Sequence, residues 1–167
     1  WVKVLGDGAG SGSSGGCSRL AVMGNYPSLA GRAGSYGARI WRCQQCDAPA
    51  DFAAVTLAGF DAQDLDGNAL YDNFSVASLF AYGGYLYAFA DNQVTGNLTW
   101  RSRDGLYWSQ LTLDDRAAPR GGFSQWVNAA AVLDGRLYLG LTGSMIWQLK
   151  PRLEVFKTGD GSGVITS

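Results

Sequence analysis

From Ser78 to Leu111 the chain holds three runs with strand character, two of them clearly alternating between apolar and polar positions. A period of two is that of a half-buried strand, whose successive side chains point to opposite faces. The runs are broken at Gly83-Gly84, near Gly96 and at Asp104-Gly105, residue types that accept the backbone geometry of tight hairpin turns. The pattern therefore predicts an antiparallel meander: Ser75–Tyr82, Tyr85–Ala90, Asn97–Ser102 and Trp108–Leu113.

The same pattern recurs on both sides. A third-strand signature reads GARIWR at 37–42, GNLTWR at 96–101 and GSMIWQ at 143–148. The hairpin before it reads LAVMGNYPSLAG at 20–31, LFAYGGYLYAF at 79–89 and AAVLDGRLYLG at 130–140, with the turn glycine in register. The copies lie about 50 residues apart, the size of a propeller blade. Gly6-Asp7-Gly8 is echoed by Gly159-Asp160-Gly161, so the chain opens and closes in one phase of the repeat.

The segment SRDGLYW at 102–108, following TWR and LYAF, resembles the Asp-box hairpin of sialidase-like β-propellers of secreted or cell-surface proteins. In that family the Asp-box is a structural turn between third and fourth strands, so the resemblance implies a fold and not an active site. The motif is one residue shorter than the usual Ser-x-Asp-x-Gly-x-x-Trp, and the first and third copies depart from it at RCQQCDAPADF and QLKPRLEVF. The expected fold class is all-β, a β-propeller segment of about three four-stranded antiparallel blades with almost no helix. The boundaries are an outer strand at 1–5, blades at 17–57, 75–113 and 129–158, and the start of a further repeat at 159–167. Residues 6–16, GDGAGSGSSGG, read as the crossover into the first blade, with a flexible linker as the alternative.

Propellers carry about four to eight blades, and an unclosed row of sheets leaves edges and apolar faces in water. The expectation is that further blades come from the same precursor, a second copy or another subunit. A chain opening at Trp1, in mid-repeat, reads as a segment of a longer precursor or of an assembly.

Charge narrows the partners. Net charge is −1 with 16% charged residues, which argues against nucleic acid, whose binding rests on a Lys/Arg excess. No apolar run approaches the roughly 18 residues of a membrane-spanning helix. Glycine, at 24 residues, and 13% aromatics suit a turn-rich all-β domain.

Chemistry is concentrated in three places. Cys43-Gln-Gln-Cys46 reads as a disulfide pinning the altered first hairpin, with free or otherwise-paired thiols and half of a metal site as alternatives. A disulfide favours an oxidising compartment, extracellular or at the cell surface. Asp61, Asp64, Asp66, Asn68 and Asp72 bring hard oxygen ligands at alternate spacing, as a Ca²⁺ loop does; the bidentate Glu of an EF-hand is absent, and the simpler reading is a solvated loop whose Asp and Asn serve turns. Tyr71, Arg116, Arg120, Phe123 and Trp126 lie on crossovers expected to share the face where propellers bind, and would suit a glycan or protein ligand. The alternative has Phe123 and Trp126 plugging the gap between blades. Trp41, Trp100 and Trp147, with Tyr87 and Tyr138, repeat in mid-strand and read as packing between sheets. Asn73 and Asn97 begin N-glycosylation sequons.

With no histidine in the chain, Ser-His-Asp and Cys-His systems cannot be completed within it. No carboxylate pair is singled out for glycoside hydrolysis. Two functional classes remain. The first is a non-catalytic scaffold or protein/glycan recognition module, and the second a fragment of a sialidase-like glycan-processing enzyme whose catalytic residues lie outside this segment. Small residues such as Ala77, Ser78, Ala130 and Ala131 at the expected axis favour the first.

Overall fold

A computed structural model of the chain describes residues 17–32, 37–48, 51–56, 58–61, 73–92, 98–111 and 127–148. Eleven strands run in sequence order: β1 (Cys17–Met23), β2 (Tyr26–Arg32), β3 (Ala38–Cys43), β4 (Phe52–Ala54), β5 (Asn73–Tyr82), β6 (Tyr85–Asn92), β7 (Leu98–Ser102), β8 (Ser109–Gln110), β9 (Val127–Leu133), β10 (Arg136–Leu141) and β11 (Met145–Gln148). They form three antiparallel sheets: sheet 1 is β1-β2-β3-β4, sheet 2 is β5-β6-β7-β8 and sheet 3 is β9-β10-β11. Each is a meander in which neighbours in sequence are neighbours in space, as two-residue hairpin loops require. The chain is all-β; its helical pieces among the described residues are short 3-10 turns, one at Ala58–Asp61 and one ending at Asp51.

The turn residues fix the register. Tyr82 pairs with Tyr85 and Leu133 with Arg136, leaving Gly83-Gly84 and Asp134-Gly135 as two-residue loops. All four have positive φ, 57°, 77°, 50° and 70°, the backbone twist that matches flanking strands. A one-residue slip would turn each strand's apolar set outward. The register therefore decides which face of each sheet is buried.

Sheet 2 is sandwiched. One face, with Val76, Leu79, Leu86, Ala88 and Ala90, packs on Ala21, Ala30, Ala38 and Ile40 of sheet 1. Its other face presents Phe80, Tyr82, Tyr87 and Phe89 to Val127, Leu137, Leu139 and Leu141 of sheet 3. Side chains such as Ile40, Leu86 and Leu137 are fully buried, each contributing roughly 1.5–3 kcal/mol. The inner strands converge, β5 touching β1 on one side and β9 on the other. Polar groups stitch this narrow edge: Arg19 Nε donates to the Ala77 carbonyl, and Tyr82 Oη to the Gly135 carbonyl at 2.8 Å.

The outer strands are shorter than expected. Trp108–Leu113 contracts to Ser109–Gln110, since Trp108 itself turns into the core beside Phe60. The last strand of the blade expected at 17–57 is likewise short, Phe52–Ala54. Sheet 3 shows three strands, and the rest of its expected blade, residues 149–158, lies outside the described residues. So do the outer strand at 1–5, the glycine-rich tract at 6–16 and the repeat start at 159–167. The described sheets stack in a row without closing on themselves. No helix among the described residues is long and apolar enough to cross a membrane.

Candidate functional site

The Asp-box-like turn is built by its own side chains. Ser102 Oγ accepts the N–H of Gly105 at 2.8 Å and donates to Asp104 Oδ1 at 3.0 Å. The same Asp104 oxygen accepts the N–H groups of Leu106 at 2.8 Å and Tyr107 at 2.9 Å. Donation from Tyr107 above all, then from Leu106 and Ser102, holds the carboxyl below its ordinary range against a smaller opposing effect of burial. Asp104 is thus engaged in holding the turn.

That turn leans on sheet 1. Gly105, at φ 74°, lies so close to Leu86, to the Arg42 side chain and to Ser28 Oγ that an added Cβ would sit 3.4–3.7 Å from them. Leu106, next in the chain, reaches over the outer part of sheet 1. Because the sheets converge on their inner strands, the gap between them opens toward β4. There a cavity of about 450 Å³ is lined by Arg42, Gln44, Gln45 and Asp51, with Ala53, Val55 and Leu106 as its apolar part.

The cavity wall is pinned twice. Cys43 and Cys46 form the expected disulfide across the β3–β4 loop, and Asp51 Oδ2 accepts the N–H groups of Asp47 and Ala48, both at 2.9 Å. Gln44 and Gln45, between the two cysteines, are exposed. The Arg42 guanidinium lies 3.8 Å over the Tyr26 ring, which fixes the cation by its attraction to the ring face. Two amides, a guanidinium and a carboxylate beside an apolar wall can hydrogen-bond a polar ligand from several directions.

Other arginines are also held on rings: Arg32 lies 3.7 Å over Phe74, and Arg101 and Arg103 approach Tyr85 at 5.0 and 4.9 Å. Arg103 Nε donates to Tyr85 Oη at 2.6 Å. Burial pushes the Tyr87 phenol up, with Arg101 opposing. It also pushes up Cys17, the one thiol outside the disulfide, and the carboxyl of Asp91.

The seam between sheets 1 and 2 also holds a buried amide pair. Asn92 Nδ2 donates to Asn73 Oδ1 at 2.9 Å, and Asn73 Nδ2 to the Gly59 carbonyl at 2.8 Å. Asn73 is fully buried, so its sequon offers no acceptor for a glycan in the folded chain. Phe60, at φ 60°, stacks on Trp100 with centroids 4.9 Å apart and meets Trp108 edge-on at 6.1 Å. It fills the role between sheets 1 and 2 that the sequence suggested for Phe123 at the next crossover. The signal was there: Gly59-Phe60 recurs as Gly122-Phe123.

Of the sequence-derived binding residues, Tyr71, Arg116, Arg120, Phe123 and Trp126 lie outside the described residues, as do Asp64, Asp66, Asn68, Asp72 and Asn97. For Asp61 the described feature is its place at the end of the short 3-10 turn. Among the described residues no group of three or more Cys, Asp or Glu could hold a metal ion. Of the tryptophans expected between sheets, Trp100 packs half-buried between sheets 1 and 2; Trp41 is buried against Cys17, Leu29 and Phe52 of its own sheet, and Trp147 on β11 is exposed. Gln44, Gln45, Asp51 and Leu106 were not singled out from sequence, since nothing in their order reveals that two turns of different repeats meet.

No protein-family model matches the chain, and no curated protein matches it.

Proposed function

We propose that the chain is a non-catalytic β-sheet scaffold of an extracellular or cell-surface protein that recognises a glycan in the cavity between the β3–β4 loop and the Asp104 turn. The observation that carries this reading is the cavity itself, where Arg42, Gln44, Gln45 and Asp51 converge beside Leu106 on a wall held by a disulfide. Sugars are bound by planar amide, guanidinium and carboxylate groups that match paired hydroxyls, with apolar contact for the ring. A pinned wall lowers the ordering cost of binding. The scaffold part is supported by where the remaining polar side chains are used: Asp104 in its turn, Asn73 and Asn92 in the seam, and the arginines on aromatic rings. The extracellular setting is supported by the Cys43–Cys46 bond, since disulfides persist in oxidising compartments.

The test is a glycan array probed with the whole chain, followed by titration of any hit against Gln44→Ala and Gln45→Ala. Both side chains are exposed, so the fold should survive their removal. Each variant is expected to weaken binding roughly 5- to 20-fold, the loss of one or two hydrogen bonds. An array without a hit, or a hit indifferent to both changes, would refute the assignment.

A further inference from the structure

The first two repeats hold an arginine in the same way. Arg42 and Arg101 end GARIWR and GNLTWR, and Tyr26 and Tyr85 stand at matching places in the hairpins before them. Arg42 lies 3.8 Å over the Tyr26 ring and Arg101 5.0 Å over the Tyr85 ring. Their cross-strand neighbours differ. Arg101 pairs with Tyr87; burial raises that phenol's pKa, and Arg101 is the chief influence opposing the rise. Arg42 pairs with Ser28, which stands where Tyr87 does in the repeat. The first repeat thus keeps the arginine and its ring but puts a short hydroxyl in place of the phenol.

The exchange leaves donors without acceptors. Arg42 Nε is buried with no hydrogen-bond partner, and so is Ser28 Oγ beside it. A cationic N–H taken out of water without an acceptor is costly, so the arginine is set to receive an oxygen. Asp51, in the same cavity lining, is in the opposite condition: its Oδ2 already accepts the N–H groups of Asp47 and Ala48. The exposed Gln44 and Gln45 amides add donors to the lining. The cation lacks a counterpart and the carboxylate has one, which tilts the cavity toward an anionic ligand.

We propose that this cavity selects a sulfated glycan, with a sulfate half-ester seated on Arg42 and held by Gln44 and Gln45. The proposal rests on the glycan reading above and names the class of sugar. An arginine fork binds two oxygens of an oxyanion side by side, and a sulfate half-ester offers a third oxygen, out of that plane, to the glutamine amides. Its single charge matches the single cation of the lining. A phosphate monoester, with about −1.5 to −2 charge at pH 7, would bring surplus charge against Asp51. Ala53, Val55 and Leu106 leave apolar surface for the sugar ring.

The experiment is an array that carries sulfated glycans beside their unsulfated, phosphorylated and uronate counterparts, probed with the whole chain at low ionic strength. Sulfated members are expected to bind about tenfold or more tightly than their unsulfated parents, and inorganic sulfate to compete better than chloride at equal ionic strength. Arg42→Lys keeps a cation for the Tyr26 ring but loses the fork, and is expected to lose most of the preference. Gln44→Ala, at an exposed position, is expected to reduce it about fivefold; near-ultraviolet circular dichroism checks that both variants fold. Uronates or phosphates that bind more tightly than sulfates would overturn the proposal, as would a sulfate preference that survives both substitutions. Hits on neutral glycans that gain nothing from sulfation would strike this proposal alone and leave the glycan reading standing. A blank array would strike both.

Discussion

Replacing Phe60 tests the seam between sheets 1 and 2 most severely. Its ring is 2% exposed and lies between Trp100 and Trp108. Deleting a buried phenyl group costs about 3–5 kcal/mol once the cavity left behind is included, and the two ring contacts, at about 0.5–1.5 kcal/mol each, are part of that sum. The positive φ of Phe60 strains any residue with a Cβ, so this strain largely cancels between Phe, Leu and Ala. Phe60→Leu, which keeps most of the volume but loses the ring pairs, should therefore cost only about 1–2 kcal/mol. A domain of this kind has about 5–15 kcal/mol of total stability, so Phe60→Ala should shift the urea midpoint far down while the slope stays constant. Tryptophan fluorescence is the natural signal, with Trp100 and Trp108 against the site, and protein concentration must be fixed because self-association would add to apparent stability. The reasoning is refuted if Phe60→Ala lies within about 1 kcal/mol of the parent, or if Leu costs as much as Ala.

Asp104→Ala should cost about 1 kcal/mol, the usual loss when a side chain capping free N–H groups is removed. Since the folded carboxyl titrates below its ordinary 3.8, its stabilisation is present above that value and disappears as pH falls through the lowered one. Urea midpoints from pH 7 down to 2 should fall less steeply for the variant. Asp91 has the opposite sign: burial raises its folded pKa above 3.8, so its charge opposes folding as pH rises through the raised value. Asp91→Asn should therefore stabilise at pH 7 and make little difference near pH 3, as thermal melts at both would show. Gly37→Ala should destabilise by about 2–4 kcal/mol. Gly37 has φ 88°, and its Cβ would sit 2.7 Å from the Asn73 carbonyl oxygen. Urea denaturation with hydrogen exchange at residues 73 and 92 should show the seam loosening first.

The strands were legible because their period and turn chemistry are local. The blade expected to open at 17 does so with β1, and the forecast Tyr85–Ala90 extends to Asn92. The Cys43–Cys46 bond was legible because the two cysteines stand three positions apart in one short loop. Seams between sheets were harder to foresee. Phe60 stands in a crossover with no period, and its role depends on Trp100 and Trp108 arriving from a later repeat. The cavity was hidden for the same reason: Gln45 and Leu106 are 61 positions apart, and only the docking of Gly105 on Ser28 and Arg42 brings them together. Trp147 shows the limit of reasoning by repeat: it shares with Leu139 the face that sheet 3 turns to sheet 2, yet it is 40% exposed on β11, whereas its counterpart Trp41 on the outer face of sheet 1 is 3% exposed.

The central claim is that equivalent faces of successive sheets are covered by the next sheet, while the outer face of sheet 3 stays exposed at Ile146. Thiol labelling of Ile40→Cys, Thr99→Cys and Ile146→Cys, each in a Cys17→Ser background with the Cys43–Cys46 bond intact, measures this at three equivalent positions. Protection is expected at 40 and 99 at every concentration. At 146, which is exposed, labelling should be fast. Equal rates at 99 and 146 would contradict the account.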